Sequence, residues 1–321
     1  MSRASSGCPR STEFEAPLAG ARVGAHPNQR RTVLYLTARQ PFELDLRWLQ
    51  AQAFRWCEGT DGWYYGFVKG HLIKVRNCDG GIEFRSNPAE ESLAADVRSY
   101  FRLDQDIAPV HDALREDDKL RGLVEQYGGM RILRPDPWEC LIAYICSQNN
   151  KIEGITAIVD KLAKRYGEPL TLDGVTLHSF PSPGRLAAAG ESKLKGMNLG
   201  LSRASRIHEV ARHITEGVLD LNALARWPHP LARGFLMSYQ DIGPKIADCV
   251  CLFALDKGEA FPVDTNIGKG LERYGKKYTP GAENAQLMQW VRDHFGEHAG
   301  YAGQLLFLDQ LEKQEPAPTP C

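Results

Sequence analysis

The chain changes its periodicity once, near residue 96, and this switch constrains the fold more than any other feature. From about 32 to 95, short runs rich in aromatic and β-branched residues alternate with turn residues, the pattern of strands. Residues 32–36, 62–68, 72–75 and 81–84 carry those runs, and Lys69-Gly70-His71 and Asp79-Gly80-Gly81 mark the hairpin turns. Beyond 96 the apolar residues recur at helical spacing. Asp136 is placed to cap a helix, Pro137 suits its first position, and Glu139 is expected to close a capping box. Trp138, Leu141, Ile142 and Ile145 then follow at i, i+3, i+4 and i+7, the stripe of a core-facing helix. Another helix is expected over 152–166, and more over 203–216, 229–239, 245–255, 265–274, 284–295 and 300–311.

The expected fold class is therefore α+β: a small antiparallel sheet domain over 32–112, then an all-α domain over 113–311. Residues 1–31, rich in Ser, Pro and Arg, and 312–321, ending in a Pro-rich run, are expected to be a flexible lead and tail. A length of 321 residues agrees with two domains, since one domain is about 150. Hydrophobic residues at 43% and charged residues at 25% exclude a disordered chain. No apolar run reaches the roughly 20 residues a membrane helix needs. Met1 to Thr12 lacks the apolar core of a secretory signal, and Glu13 and Glu15 speak against an organellar leader.

Lys and Arg total 39 against 40 for Asp and Glu, so any phosphate-binding surface has to be a local patch. Lys193, Lys195, Arg203, Arg206 and Arg212 form one such run, and Lys269, Arg273, Lys276 and Lys277 another. The eight cysteines make no C-x-x-C pair and mostly sit in apolar segments, as reduced buried thiols do. That usage points to an intracellular protein, in a bacterial cytoplasm or a eukaryotic nucleus or organelle.

The segment from Met237 to Asp256 carries the most chemistry. A helix ends near Tyr239, a tight turn follows at Asp241-Ile242-Gly243-Pro244, and a new helix starts at Lys245. Such a hairpin aims backbone N–H groups and the positive end of a helix at one point, a grip for a phosphate that ignores base sequence. An ordinary helix corner would look the same. Lys245 sharpens the alternatives. Lysine is nucleophilic only as the free amine, and a helix N-terminus beside Ile242 and Ile246 disfavours the ammonium. A free amine there can attack an electrophilic sugar carbon and form a Schiff base; a plain phosphate contact is the simpler reading. Downstream, Pro262 enforces extended chain in Phe261-Pro262-Val263-Asp264, and Asp264 stands where it would cap the next helix. A carboxylate there could also stabilise positive charge on a deoxyribose ring.

Taken together, the Gly-Pro-Lys hairpin, the intervening helix and Val263-Asp264 resemble the helix-hairpin-helix, Gly/Pro-Asp superfamily of DNA glycosylases, and within it the 8-oxoguanine DNA glycosylase family. Gln52-Ala-Phe-Arg-Trp56, Asp136-Pro-Trp-Glu-Cys-Leu141, Ile145-Cys-Ser-Gln-Asn-Asn150, Lys245-Ile-Ala-Asp-Cys249 and Ala254-Leu-Asp-Lys257 match that family in order. The resemblance implies a bifunctional glycosylase and abasic-site lyase of base-excision repair, working on damaged double-stranded DNA as a monomer, with no cofactor and no metal. It makes Lys245 the nucleophile at C1′ and Asp264 its supporting carboxylate. The target base must leave the stack. Asn149 would then fill the gap, with Asn150 supporting the turn and Arg203 facing the partner base, while Ile242, Gly243 and Asn266 belong to the DNA-binding surface.

The resemblance also locates a base pocket, and there the chain departs from the pattern. Ala51 stands where the family has a glycine whose carbonyl accepts from the oxidised purine, while Cys249 is retained as one face of the base sandwich. The family's last helix reads Tyr-Ala-Gly-x-x-Gln-x-x-x-Phe. Anchored on Tyr301-Ala302-Gly303, that motif puts Leu306 and Gln310 at the amide and ring positions, with Gln304 and Phe307 offering the same chemistry out of register. Gly154 replaces an arginine facing the partner base, Asn266 a histidine, and Asp241 the first hairpin glycine. The implied activity is excision of oxidised purines, 8-oxoguanine first, with altered selectivity. The alternatives are the same mechanism on another damaged base, or a non-catalytic lesion-binding protein.

Overall fold

The computed structural model describes residues 21–24, 33–38, 40–87, 92–280 and 284–313. Six strands form one antiparallel sheet: β1 (Ala21–Gly24), β2 (Val33–Thr37), β3 (Cys57–Glu58), β4 (Tyr64–Val68), β5 (His71–Cys78) and β6 (Gly81–Asn87), in the order β1-β2-β6-β5-β4-β3. The turns at Lys69-Gly70 and Asp79-Gly80 fall where expected. Strand β1 lies inside the stretch read as a flexible lead and pairs with β2 from Ala21 opposite Leu36; most of that lead, and the tail beyond 313, fall outside the described residues.

The helices follow in chain order. The first four are α1 (Leu46–Ala53), α2 (Leu93–Tyr100), α3 (Ala108–Arg115) and α4 (Arg121–Tyr127). Then come α5 (Pro137–Cys146), α6 (Ile152–Tyr166), α7 (Pro183–Ala189), α8 (Glu191–Lys195), α9 (Leu201–Thr215), α10 (Leu221–Ala225) and α11 (His229–Met237). The last are α12 (Pro244–Ala254), α13 (Thr265–Leu271), α14 (Ala285–Phe295) and α15 (Ala299–Glu312). The stretch 265–274 is split, because the α-helix ends at Leu271 and a single 3-10 turn completes it.

Two local expectations are corrected. Asp136 does cap α5, accepting from the N–H groups of Trp138 and Glu139, both at 3.0 Å. Glu139, however, closes no capping box; it pairs with Arg55 at 3.1 Å, because that guanidinium is buried and requires a carboxylate. The stretch beyond 96 is also not all helical. Strands β7 (Pro169–Leu172) and β8 (Val175–His178) form a hairpin around Asp173 and Gly174, both at positive φ. Leu170, Leu172, Val175 and Leu177 from this hairpin cover Trp63, Tyr65 and Leu72 on the sheet. Asp173 fixes it there, 3.0 Å from the buried Lys74 and 3.2 Å from Arg85.

The two halves share one core, which runs from Leu34 in the sheet to Leu311 in α15. The Gln52-to-Trp56 motif is the joint between them. Gln52 donates to the Arg131 carbonyl at 3.0 Å and accepts from the Leu133 N–H at 2.8 Å, and Trp56 donates to the Tyr100 hydroxyl at 2.9 Å. Cys140, Cys146, Cys249 and Cys251 are buried free thiols.

Candidate active site

The hairpin between α11 and α12 is built as its residues demand. Asp241 takes φ 64°, the left-handed conformation its short polar side chain tolerates better than most, so it replaces a glycine without straightening the turn. Its carboxylate accepts from the Ser202 hydroxyl at 2.6 Å and lies 3.7 Å from Arg206, both on α9. Ile242 is buried at 3% exposure and anchors the turn. Gly243 is extended and leads into Pro244 at the first helical position, and no side chain caps α12. The N-terminus of this helix is thus left open to an outside anion.

Lys245, the second residue of α12, lines a cleft of about 1680 Å³ bordered by residues of α1, α5, α6, α11, α12, α13, α14 and α15. Its Nζ donates to Ser147 Oγ at 3.2 Å and lies 5.9 Å from the Tyr144 ring. That ring is stacked on Phe253 at 5.6 Å. Asp264 lines the same cleft. It caps α13 as expected, one oxygen accepting from Asn266 and Ile267 N–H groups at 2.9 Å each. Cys249 lines the cleft with them: burial pushes its thiol up to about 12, Lys245 pulls the other way, and Asp264 reinforces the rise. It therefore meets a ligand as a neutral, polarisable surface and not as a thiolate.

Among the residues singled out in the sequence, Ala51, Asn149, Asn150, Gly243, Lys245, Cys249, Asp264, Asn266 and Phe307 line the cleft. Ile242 and Arg203 do not line it. Asn149 adopts φ 52°, and Arg203 holds its turn by donating to the Gln148 carbonyl and, at 3.1 Å, to that of Leu199. Asn150 caps the turn's exit, its side chain accepting from the Lys151 N–H at 3.1 Å. A Cβ at Gly154 would come within 2.0 Å of that same oxygen, so Asn150 occupies the space a side chain at 154 would use.

Leu306 and Gln310 are not cleft residues. Leu306 is fully buried against Gly270 of α13, and Gln310 bonds the neighbouring Asp309 at 3.1 Å; the cleft face of α15 carries Gln304, Phe307 and Leu311 instead. The reason is register. The chain has two Ala-Gly pairs three residues apart, and Gly300, not Gly303, lies seven residues before Phe307, as the motif's spacing requires. In that register the motif's ring falls on Phe307 and its amide on Gly303. A Cβ at Gly303 would approach the Phe261 ring to 3.0 Å, so a side chain there requires that buried ring to give way. Gln304, one residue on, is 5% exposed, faces the cleft, and has no hydrogen-bond partner among the described residues.

The basic runs are less available than the sequence implies. Lys195 pairs with Glu191 at 2.7 Å, Arg212 with Glu216 at 2.9 Å, and the buried Arg206 with Glu209. Arg273 is held by Asp309, and Lys276 lies 4.8 Å over Trp290. Among the described residues, no group of three or more His, Cys, Asp or Glu is placed to hold a metal, and no helix is long and apolar enough to cross a membrane. Ser147 lines the cleft in a role the sequence left unassigned, and Gln304, noted there only out of register, lines it too; each belongs to a segment already singled out, but only the tertiary contact distinguishes it from its neighbours.

Comparison with known proteins places this geometry. Residues 34–141 match the 8-oxoguanine DNA glycosylase N-terminal domain, and residues 142–293 the HhH-GPD superfamily base excision DNA repair protein model. The N-glycosylase/DNA lyase of Saccharomyces cerevisiae is 35% identical over 257 residues, covering 69% of this chain and 68% of its own. The N-glycosylase/DNA lyase OGG1 of Arabidopsis thaliana is 29% identical over 296 residues, covering 85% and 78%. The Clostridium acetobutylicum 8-oxoguanine glycosylase/lyase, solved with double-stranded DNA containing cytosine opposite 8-oxoG, superposes with a TM-score of 0.80 at 27% identity, covering 89% of this chain and 97% of that one. The chain belongs to the 8-oxoguanine DNA glycosylase family, within the helix-hairpin-helix, Gly/Pro-Asp superfamily of base-excision repair proteins.

Proposed function

We infer that this protein is a bifunctional DNA glycosylase and abasic-site lyase that removes 8-oxoguanine from double-stranded DNA inside the cell, as a monomer. The observation that carries the reading is the convergence of Lys245 and Asp264 on one cleft beside an uncapped helix N-terminus. A phosphate-binding hairpin alone requires neither side chain.

The uncapped end of α12 holds a backbone phosphate, which draws the flipped nucleotide toward Lys245. The free amine of Lys245 attacks C1′, and the electrons of the C1′–N9 bond leave with the base, which takes up a proton. Opening of the C1′–O4′ bond, with loss of a proton from Nζ and gain of one at O4′, gives the Schiff base. Loss of a C2′ proton then expels the 3′ phosphate by β-elimination. Asp264, its capping bonds fixing the carboxylate, stabilises the positive charge that builds on the sugar. Cys249 and Phe307 then sandwich the base, with Gln304 at its edge. Ala51 and Gly303 are the positions at which base selectivity departs from the family pattern.

Borohydride trapping on abasic and 8-oxoguanine duplexes tests the reading. The wild-type protein is expected to cross-link to both, and Lys245→Gln to neither. Trapping on abasic DNA alone would assign the same chemistry to a different lesion, and absence of any cross-link would leave a binding protein.

A further inference from the structure

Ser147 is the only described residue that hydrogen-bonds Lys245 Nζ. It terminates α5, is 6% exposed, and belongs to the turn that carries Asn149. A serine hydroxyl has one hydrogen to give and two lone pairs to offer. Here the hydrogen is committed: Ser147 Oγ donates to the Tyr144 carbonyl at 2.7 Å. Toward Lys245, 3.2 Å away on the other side, the oxygen can therefore only accept.

We propose that Ser147 is a positioning residue for the Lys245 nucleophile. It binds an N–H of Nζ and leaves the nitrogen lone pair unengaged. A donor at the same place would occupy the lone pair and suppress attack; an apolar residue would leave the long lysine chain free to turn about its last bonds. The Tyr144 ring, 5.9 Å from Nζ and fixed by its stack on Phe253, walls off a second direction. The remaining approach is the open cleft, where C1′ arrives. The acceptor also sits in the turn tied by the Asn150 N–H to the Ser147 carbonyl at 3.2 Å and gripped at Gln148 by Arg203. Seating that turn in the DNA and aiming the amine are thus one mechanical event. The assignment rests on Lys245 being the nucleophile and specifies how its geometry is set.

The test compares Ser147→Ala and Ser147→Thr in the full chain, with three readouts: single-turnover excision of 8-oxoguanine, the rate of borohydride trapping on a preformed abasic duplex, and the Kd for a tetrahydrofuran-containing duplex. Ser147→Ala is expected to slow excision and trapping by about 10- to 100-fold, the scale of a misdirected reacting group, with the Kd unchanged within about twofold. Ser147→Thr keeps the oxygen and is expected to restore both rates to within about threefold. If Ser147→Ala fails to fold, Ser147→Cys, which keeps the volume and weakens the acceptor, is expected to fall between the two. Alanine rates equal to wild type, or a loss that appears wholly in the Kd, would overturn the positioning role while leaving the nucleophile in place. A wild-type protein that never cross-links would instead overturn the reading beneath it.

Discussion

Replacing Gln304 by leucine should move stability and selectivity in opposite directions. Gln304 is 5% exposed, lines the cleft and has no hydrogen-bond partner among the described residues; its amide atoms keep some contact with the open cleft, so the unliganded protein hydrates them only in part. A buried polar group left unpaired costs about 1–3 kcal/mol, and a leucine of similar size removes that cost. Taking the lower end, because the amide borders open space, the gain is about 1 kcal/mol, or roughly 2–4 °C in Tm for a chain of this size. With a purine in the cleft the account reverses, because the leucine leaves the base edge without a partner at a site that excludes water. About 1–3 kcal/mol of transition-state binding is then lost, a fall of roughly 5- to 150-fold. The assay is the ratio of single-turnover 8-oxoguanine excision to abasic-site cleavage, which cancels differences in folded fraction, together with a thermal melt of the free protein. A variant that melts lower, or that keeps the wild-type ratio within twofold, would refute the assignment of this amide to the base edge.

Three further outcomes follow from the same structure. Asp264→Ala loses both capping bonds and should be destabilised by about 1 kcal/mol, whereas Asp264→Asn keeps the capping oxygen and the Tm; borohydride trapping should fall about 100-fold in both, separating the cap from the chemistry. Gly303→Gln forces a side chain against the Phe261 ring and should cost about 1–3 kcal/mol by urea unfolding, with no gain in 8-oxoguanine preference. Burial, aided by Arg131 and Arg115, lowers His111 from 6.5 to about 4. The unfolded chain therefore binds this proton first, and stability should be lost as pH falls from about 6.5 toward 4. Urea midpoints across that window should be flatter in His111→Gln than in wild type.

The parts of the site that were legible are those set by local chemistry. Gly243-Pro244 starts a helix whatever surrounds it, Asp264 caps the next one through its own backbone neighbours, and Asp136 does the same for α5. What stayed hidden depends on distant contacts. Glu139 has the spacing of a capping box, but a buried guanidinium 84 residues away in sequence takes its carboxylate. Helix α1, which delivers Ala51 to the cleft, has only eight residues, too few for a period to be read. In α15 two Ala-Gly pairs three residues apart allow two registers, and only the burial of Leu306 against Gly270 chooses between them. The β7–β8 hairpin is a different case. Asp173-Gly174 between alternating apolar residues is a strong turn signal, masked by the helical pattern on either side.

That hairpin bears on how the protein is made. On the sheet, Trp63, Tyr65 and Leu72 are packed against the β7–β8 hairpin, which arrives about a hundred residues later in translation. As the chain emerges from the ribosome, the first half must wait with a greasy face bare until Leu177 has cleared the exit tunnel. Nascent-chain interactions with chaperones should therefore cluster in that interval and cease once the late ribbon clips down.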